Sequence, residues 1–122
     1  DVTGFGLLGH LLEVCKGSGV AARLCYGDLP LLPHAAQLAR DGYVTGASGR
    51  NWTAYGSRVR LDAALGESER ALLCDPQTSG GLLVACAPEA VTEVLSIFLQ
   101  QGFGHVSVVG EVVKGEAEIR VE

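Results

Sequence analysis

Two short stretches of the chain hold residue types that phosphate and metal chemistry can use. Residues 1 to 6, DVTGFG, set a carboxylate, a Thr hydroxyl and two glycines directly ahead of an apolar helical repeat. A helix N-terminus offers unpaired backbone N–H groups and the positive end of the helix dipole, and glycine lets an anion approach the backbone. The outline is an anion site. A carboxylate there repels phosphate unless a divalent cation lies between them, and Mg²⁺ is typically held by one or two carboxylates together with phosphate oxygens and water. Asp1 is therefore a candidate Mg²⁺ ligand, and Thr3 and Gly4 are candidate phosphate-facing residues. Thr, Asp and Gly are also what helix caps prefer, so capping stands beside that reading. The stretch is neither a Walker A loop, having no G-K-[ST], nor a G-x-G-x-x-G after a strand.

The second stretch, DPQTSGG at 75 to 81, places Thr78 and Ser79 hydroxyls and two glycines between a helix stop and an apolar run. Thr78 and Ser79 are candidate phosphate donors; a tight turn feeding a strand uses the same residues. A third stretch, GASGRNW at 46 to 52, offers Arg50 and backbone amides to an anion, or forms a solvated loop. Cys15, Cys25, Cys74 and Cys86 form no C-x-x-C pair and each stands in an apolar run, which predicts reduced, mostly buried structural thiols rather than a zinc site. His10, His34 and His105 share no ligand spacing, and His10, inside an apolar helix, reads as a packed side chain.

Positioning these residues requires elements that the hydrophobic periodicity supplies. Leu7, Leu8, Leu11, Leu12 and Cys15 mark one face of a helix over 5–16, closed by Gly17 and Gly19. Residues 20–26 alternate as a strand with Val20, Ala22, Leu24 and Tyr26 on one face. A short helix follows Pro33 and stops at Gly42, residues 43–60 read as a loop rich in Gly, Ser, Asn and Thr, and a brief helix runs from 67 or 68 to Cys74. LLVAC, after Gly80 and Gly81, predicts a buried strand. Pro88 and Gly102 bracket a helix striped with Val91, Val94, Leu95, Phe98 and Leu99, and 105–113 and 117–121 read as two strands of a hairpin turning at Lys114, Gly115 and Glu116. The order predicts an α+β fold, with helices packed on a mixed, mostly antiparallel sheet.

With 122 residues, 48% hydrophobic and 19% charged, the chain fits one domain over residues 1–122 and neither a disordered nor a low-complexity segment. No apolar stretch reaches the roughly 18 to 20 residues that cross a bilayer, and no charged-then-apolar leader opens the chain, so no membrane partner and a cytoplasmic location are expected. A net charge of −5 with scattered Lys and Arg gives no footprint for nucleic acid. With no Met, the sequence is expected to be part of a longer protein or a processed one.

On DVTGFGLLGHLLE and DPQTSGGLLVACAPE, with GASGRNW and VVGEVV in support, the chain resembles the C-terminal domain of the bacterial selenide, water dikinase (selenophosphate synthetase) family, over essentially its entire length. That resemblance implies a domain like the C-terminal domain of aminoimidazole ribonucleotide synthetase, with ATP held where it meets an N-terminal domain. It implies conversion of ATP, selenide and water to selenophosphate, AMP and orthophosphate with Mg²⁺. By position Asp1 matches the family's metal ligand. The family's reactive Cys or selenocysteine and its essential Lys lie in the N-terminal part, so no catalytic residue is expected in this chain and the piece alone is expected to be inactive. The implied partners are its own N-terminal domain, ATP, selenide and, for the full-length enzyme, a second copy in a homodimer. Another ATP enzyme of the same superfamily, such as a thiamine-phosphate kinase or a hydrogenase-maturation protein, and a non-catalytic docking module are the alternatives.

Overall fold

Leu8, Leu11, Leu12 and Cys15 recur on one helical face, and α1 (Gly6–Ser18) buries that face, with Leu7 half-buried at its border. Gly19 takes the left-handed conformation at φ 64°, where its N–H reaches the Cys15 and Lys16 carbonyls and ends the helix. The computed structural model describes residues 1–122. After α1 come β1 (Ala21–Leu24), α2 (Ala35–Arg40), α3 (Gly46–Tyr55), β2 (Val59–Leu61), α4 (Glu67–Leu73), α5 (Val91–Gln100), β3 (Gly110–Val113) and β4 (Ile119–Val121). Thr45 caps α3 by accepting the Ser48 N–H at 3.3 Å, and the Glu69 carboxylate in α4 accepts the Gly66 N–H at 2.9 Å.

The four strands lie in the order β2-β4-β1-β3. Registers Val59↔Ile119↔Ala22 and Leu61↔Val121↔Leu24 stack apolar side chains in two rows across the sheet. Ile119 and Val121, in the middle of those rows, are fully buried and join Leu8, Leu12, Cys15, Leu73 and Cys74 in one core. On the alternate positions Arg23 pairs with Glu111 at 3.2 Å and with Glu122 at 2.8 Å, and Arg60 with Glu118 at 3.6 Å. These pairs are solvent-exposed and add little to stability. The helices and the apolar rows make the stable layer.

The architecture is α+β with a mixed sheet, as the element order predicts, but several expectations are overturned in detail. Two of the three strand pairings are parallel and one antiparallel, so the antiparallel majority is absent. The hairpin is absent too: β1 inserts between β3 and β4, because the parallel register to β4 and the antiparallel register to β3 use both of its edges. The expected loop at 43–60 contains α3 and the start of β2. LLVAC forms no strand: the sheet pairings are taken by other segments, Leu83 alone packs on the core, and Leu82 and Val84 are exposed. Pro33 lies outside α2.

Cysteine burial divides the expectation in half. Cys15 and Cys74 are buried, whereas Cys25 and Cys86 are exposed, the latter because its run is not a buried strand. Burial pushes the Cys15 and Cys74 thiols up, away from the reactive thiolate form. A thiol-specific reagent should therefore label two cysteines in the native protein and the other two only on denaturation. Cys15→Ala or Cys74→Ala should cost about 1–3 kcal/mol, and Cys25→Ser or Cys86→Ser no more than about 0.5 kcal/mol, in denaturant titration. Rapid native labelling of Cys74 would contradict the packing described here.

Candidate functional site

The two chemistry-bearing stretches, far apart in sequence, run side by side. Val2 is buried and its N–H donates to the Gly81 carbonyl at 2.9 Å, while the Gln77 N–H donates to the Thr3 carbonyl at 3.0 Å. The Thr3 carbonyl also accepts the Gly6 N–H at 3.0 Å, which ties the pair of segments to the start of α1. Asp1, Thr3, Gly4, Thr78 and Ser79 all remain exposed along this seam. The fold thus gathers Asp1, Thr3, Gly4, Thr78 and Ser79 onto one pair of adjacent loops, whereas Arg50 stands exposed on α3.

The glycines here do different work. A Cβ on Gly80 would run into the Val2 carbonyl oxygen, so the close approach of the two loops requires glycine there. Gly6 combines φ +70° with a Cβ position 2.6 Å from the Cys74 carbonyl carbon, so only glycine lets the helix start press on the end of α4. Gly4 and Gly81 have nothing within 4 Å of a Cβ position, so neither is glycine for reasons of close packing within this chain. No side chain caps α1. The Thr3 hydroxyl instead lies 3.1 Å from His10 Nε2, and the His10 ring stands 5.7 Å from that of Phe5. His10 thus has both a polar partner and an aromatic neighbour.

Helix α3 supplies what the sequence reading missed. Asn51 Nδ2 donates to the Gly4 carbonyl at 3.0 Å and to the Cys74 carbonyl at 2.9 Å. One turn later the Tyr55 hydroxyl donates to the Phe5 carbonyl at 2.6 Å, and burial pushes that phenol far above its ordinary range. Ser48 is buried on the same helix, and burial pushes the Asp75 carboxyl up while a bond to the Ser48 side chain pulls the other way. Gly, Ser and Asn gave residues 46–51 no apolar period; the single usable signal was Thr45 at cap spacing from Ser48.

No group of three or more His, Cys, Asp and Glu side chains comes together in a metal-holding arrangement. Asp1 is a single exposed carboxylate at the edge of two stretches whose other exposed groups are hydroxyls, glycine backbone and the Phe5 ring. That donor set suits a Mg²⁺ ion that takes one carboxylate here and completes its shell from phosphate oxygens, water and groups beyond this chain.

The family model described as "AIR synthase related protein, C-terminal domain" matches residues 1–122. The chain is 63% identical over 121 residues to a selenide, water dikinase of Dechloromonas aromatica (strain RCB), covering 99% of this chain and 35% of that protein. It is 58% identical to the selenide, water dikinase of Paraburkholderia xenovorans (strain LB400) and 47% identical to that of Rhizobium meliloti (strain 1021), again over 99% of this chain. The chain spans about a third of the length of these curated relatives.

Proposed function

The chain belongs to the AIR synthase related C-terminal domain family, and from that premise we propose that it is the C-terminal domain of a selenide, water dikinase that makes selenophosphate, AMP and orthophosphate from selenide, ATP and water. The observation that carries the reading is the seam itself: Asp1 and the Thr3, Thr78 and Ser79 hydroxyls lie exposed on two loops joined by backbone bonds. Whole-length identity to proteins named selenide, water dikinase supports this enzyme over other ATP enzymes of the superfamily.

Phosphoryl transfer depends on positioning and on neutralising phosphate charge more than on covalent help from the protein. A bound Mg²⁺ would supply part of that charge neutralisation. In this chain the Asp1 carboxylate would hold the cation, the Thr3, Thr78 and Ser79 hydroxyls would face phosphate oxygens beside the exposed Gly4, and His10 Nε2, 3.1 Å from the Thr3 hydroxyl, would orient it. The chain contributes no nucleophile: Cys15 and Cys74 are buried, and none of the four cysteines matches the reactive position of the family the sequence resembles.

The remaining groups come from an N-terminal domain of the same protein, the relatives being about three times as long as this chain. Exposed apolar side chains support a covering partner: no residue of α5 is buried, and Leu82, Ile97, Leu99 and Phe103 are all more than half exposed. A homodimer and a cytoplasmic location complete the proposal; no helix is long and apolar enough to cross a membrane.

The test is selenide-dependent AMP formation by the full-length protein. AMP release that requires both selenide and Mg²⁺ is expected; ATP turnover indifferent to selenide would assign the chain to another ATP enzyme of the superfamily. Calorimetry of residues 1–122 alone with ATP and Mg²⁺ should show no binding in the low micromolar range, since one exposed carboxylate and a few hydroxyls make a partial site. Low-micromolar binding would place the whole site in this domain.

A further inference from the structure

The two loops of the seam are held together by surprisingly few groups. Between them the backbone supplies the Val2 to Gly81 and Gln77 to Thr3 bonds, from two adjacent residues of the first loop to the two ends of the second. Beyond these, two side chains of α3 reach both sides: Asn51, whose single amide nitrogen reaches Gly4 at the end of the first loop and Cys74 just before the second, and Tyr55, whose hydroxyl bonds the Phe5 carbonyl and lies against the Cys74 side chain. An amide NH₂ carries two hydrogens, and here each has its own carbonyl, so neither bond competes with the other. Asn51 sits on α3, which is capped by Thr45 and tied by Tyr55 to Phe5, the residue after Gly4. The latch is therefore mounted on an element outside both loops.

Resting on the reading of these loops given above, we infer that Asn51 is a positioning residue: it sets the spacing between the Asp1–Gly4 loop and the Asp75–Gly81 loop, and so the distance from the Asp1 carboxylate to the Thr78 and Ser79 hydroxyls. It does not touch the reacting groups. Its chemistry is specific to an amide donor. Aspartate in its place, of the same shape, directs carboxylate oxygens at two carbonyl oxygens and pushes the loops apart, whereas alanine leaves both carbonyls to water.

Two readouts on the full-length protein test this. Hydrogen exchange read on peptides covering residues 1–6 and 75–81 reports the loop pairing without reference to chemistry: Asn51→Asp and Asn51→Ala should speed exchange there while α5 exchanges as before. Steady-state kinetics, at temperatures where each variant is fully folded, should show kcat for selenide-dependent AMP formation lowered by about 10- to 100-fold, the loss that small misplacements of reacting groups cause. Asn51→Gln, which keeps the NH₂ group, should recover part of the rate; Asn51→Asp should not. A purely structural role would move the melting temperature and leave kcat of the folded protein unchanged, and that result overturns the inference. Unchanged exchange at 1–6 and 75–81 overturns it as well. If Asn51→Ala does not fold, the shape-conserving Asn51→Asp and the Asn51→Gln rescue carry the same comparison. Asp1→Asn, run in parallel, separates the two levels: full activity in that variant overturns the loop reading itself, while loss in Asp1→Asn with full activity in folded Asn51→Asp overturns the positioning role alone.

Discussion

Asp1→Asn in the full-length protein is expected to lower turnover by roughly 100-fold or more, because it keeps a carbonyl oxygen of the same size but removes the charge that holds the cation against the phosphates. The substitution should leave stability within about 0.5 kcal/mol, since the side chain is exposed and α1 takes no side-chain cap. Raised Mg²⁺ should restore part of the rate by mass action. Turnover and melting temperature of Asp1→Asn and Asp1→Ala check this: both variants should lose turnover and both should melt close to the parent protein, because Phe5 and not Asp1 stands at the start of α1. Near-normal turnover of Asp1→Asn at ordinary Mg²⁺ would remove this domain's direct claim on the reaction.

Neighbouring glycines should respond very differently to the same small change. In Gly80→Ala the new methyl group meets the Val2 carbonyl oxygen, so the loops must separate and the Val2 to Gly81 bond must open. Forced repacking of this kind costs about 1–3 kcal/mol, and the displaced seam should also cost the full-length protein roughly 10- to 100-fold in selenide-dependent turnover. Gly81→Ala meets nothing within 4 Å and needs no left-handed backbone, so it should be close to wild type in stability. Denaturant midpoints and turnover of the two variants check the contrast. Equal, small effects at both positions would mean that the loops are not in contact as described.

The Asn51 latch and the Gly80 approach explain why the site could be anticipated in pieces but not assembled from the sequence. Thr3, Thr78 and Ser79 announce themselves by residue type, and Asp1 by its place before a helix, because local chemistry depends on side chains a few positions apart. Nothing in the one-dimensional text says that Gln77 bonds Thr3 or that an asparagine in a glycine-rich stretch reaches both loops. Those bonds join residues whose separation is set by the packing of α1, α3 and α4.

The same division runs through the fold. Periodicity together with start and stop residues determined α1, α4 and α5, the buried face of β1 and the α+β class, since amphipathic spacing and helix-ending residues are local properties of the chain. The family membership is likewise carried by the text of the chain. Tertiary structure alone decided the rest. It turned 46–55 into a helix held by Asn51, Ser48 and Tyr55 rather than by an apolar stripe, and it left LLVAC unpaired and Cys86 exposed. It also placed β1 between β3 and β4 in place of a hairpin. Strand pairing and polar cross-links are choices among distant partners, and their free energy depends on which edges and carbonyls remain unsatisfied once the core has closed.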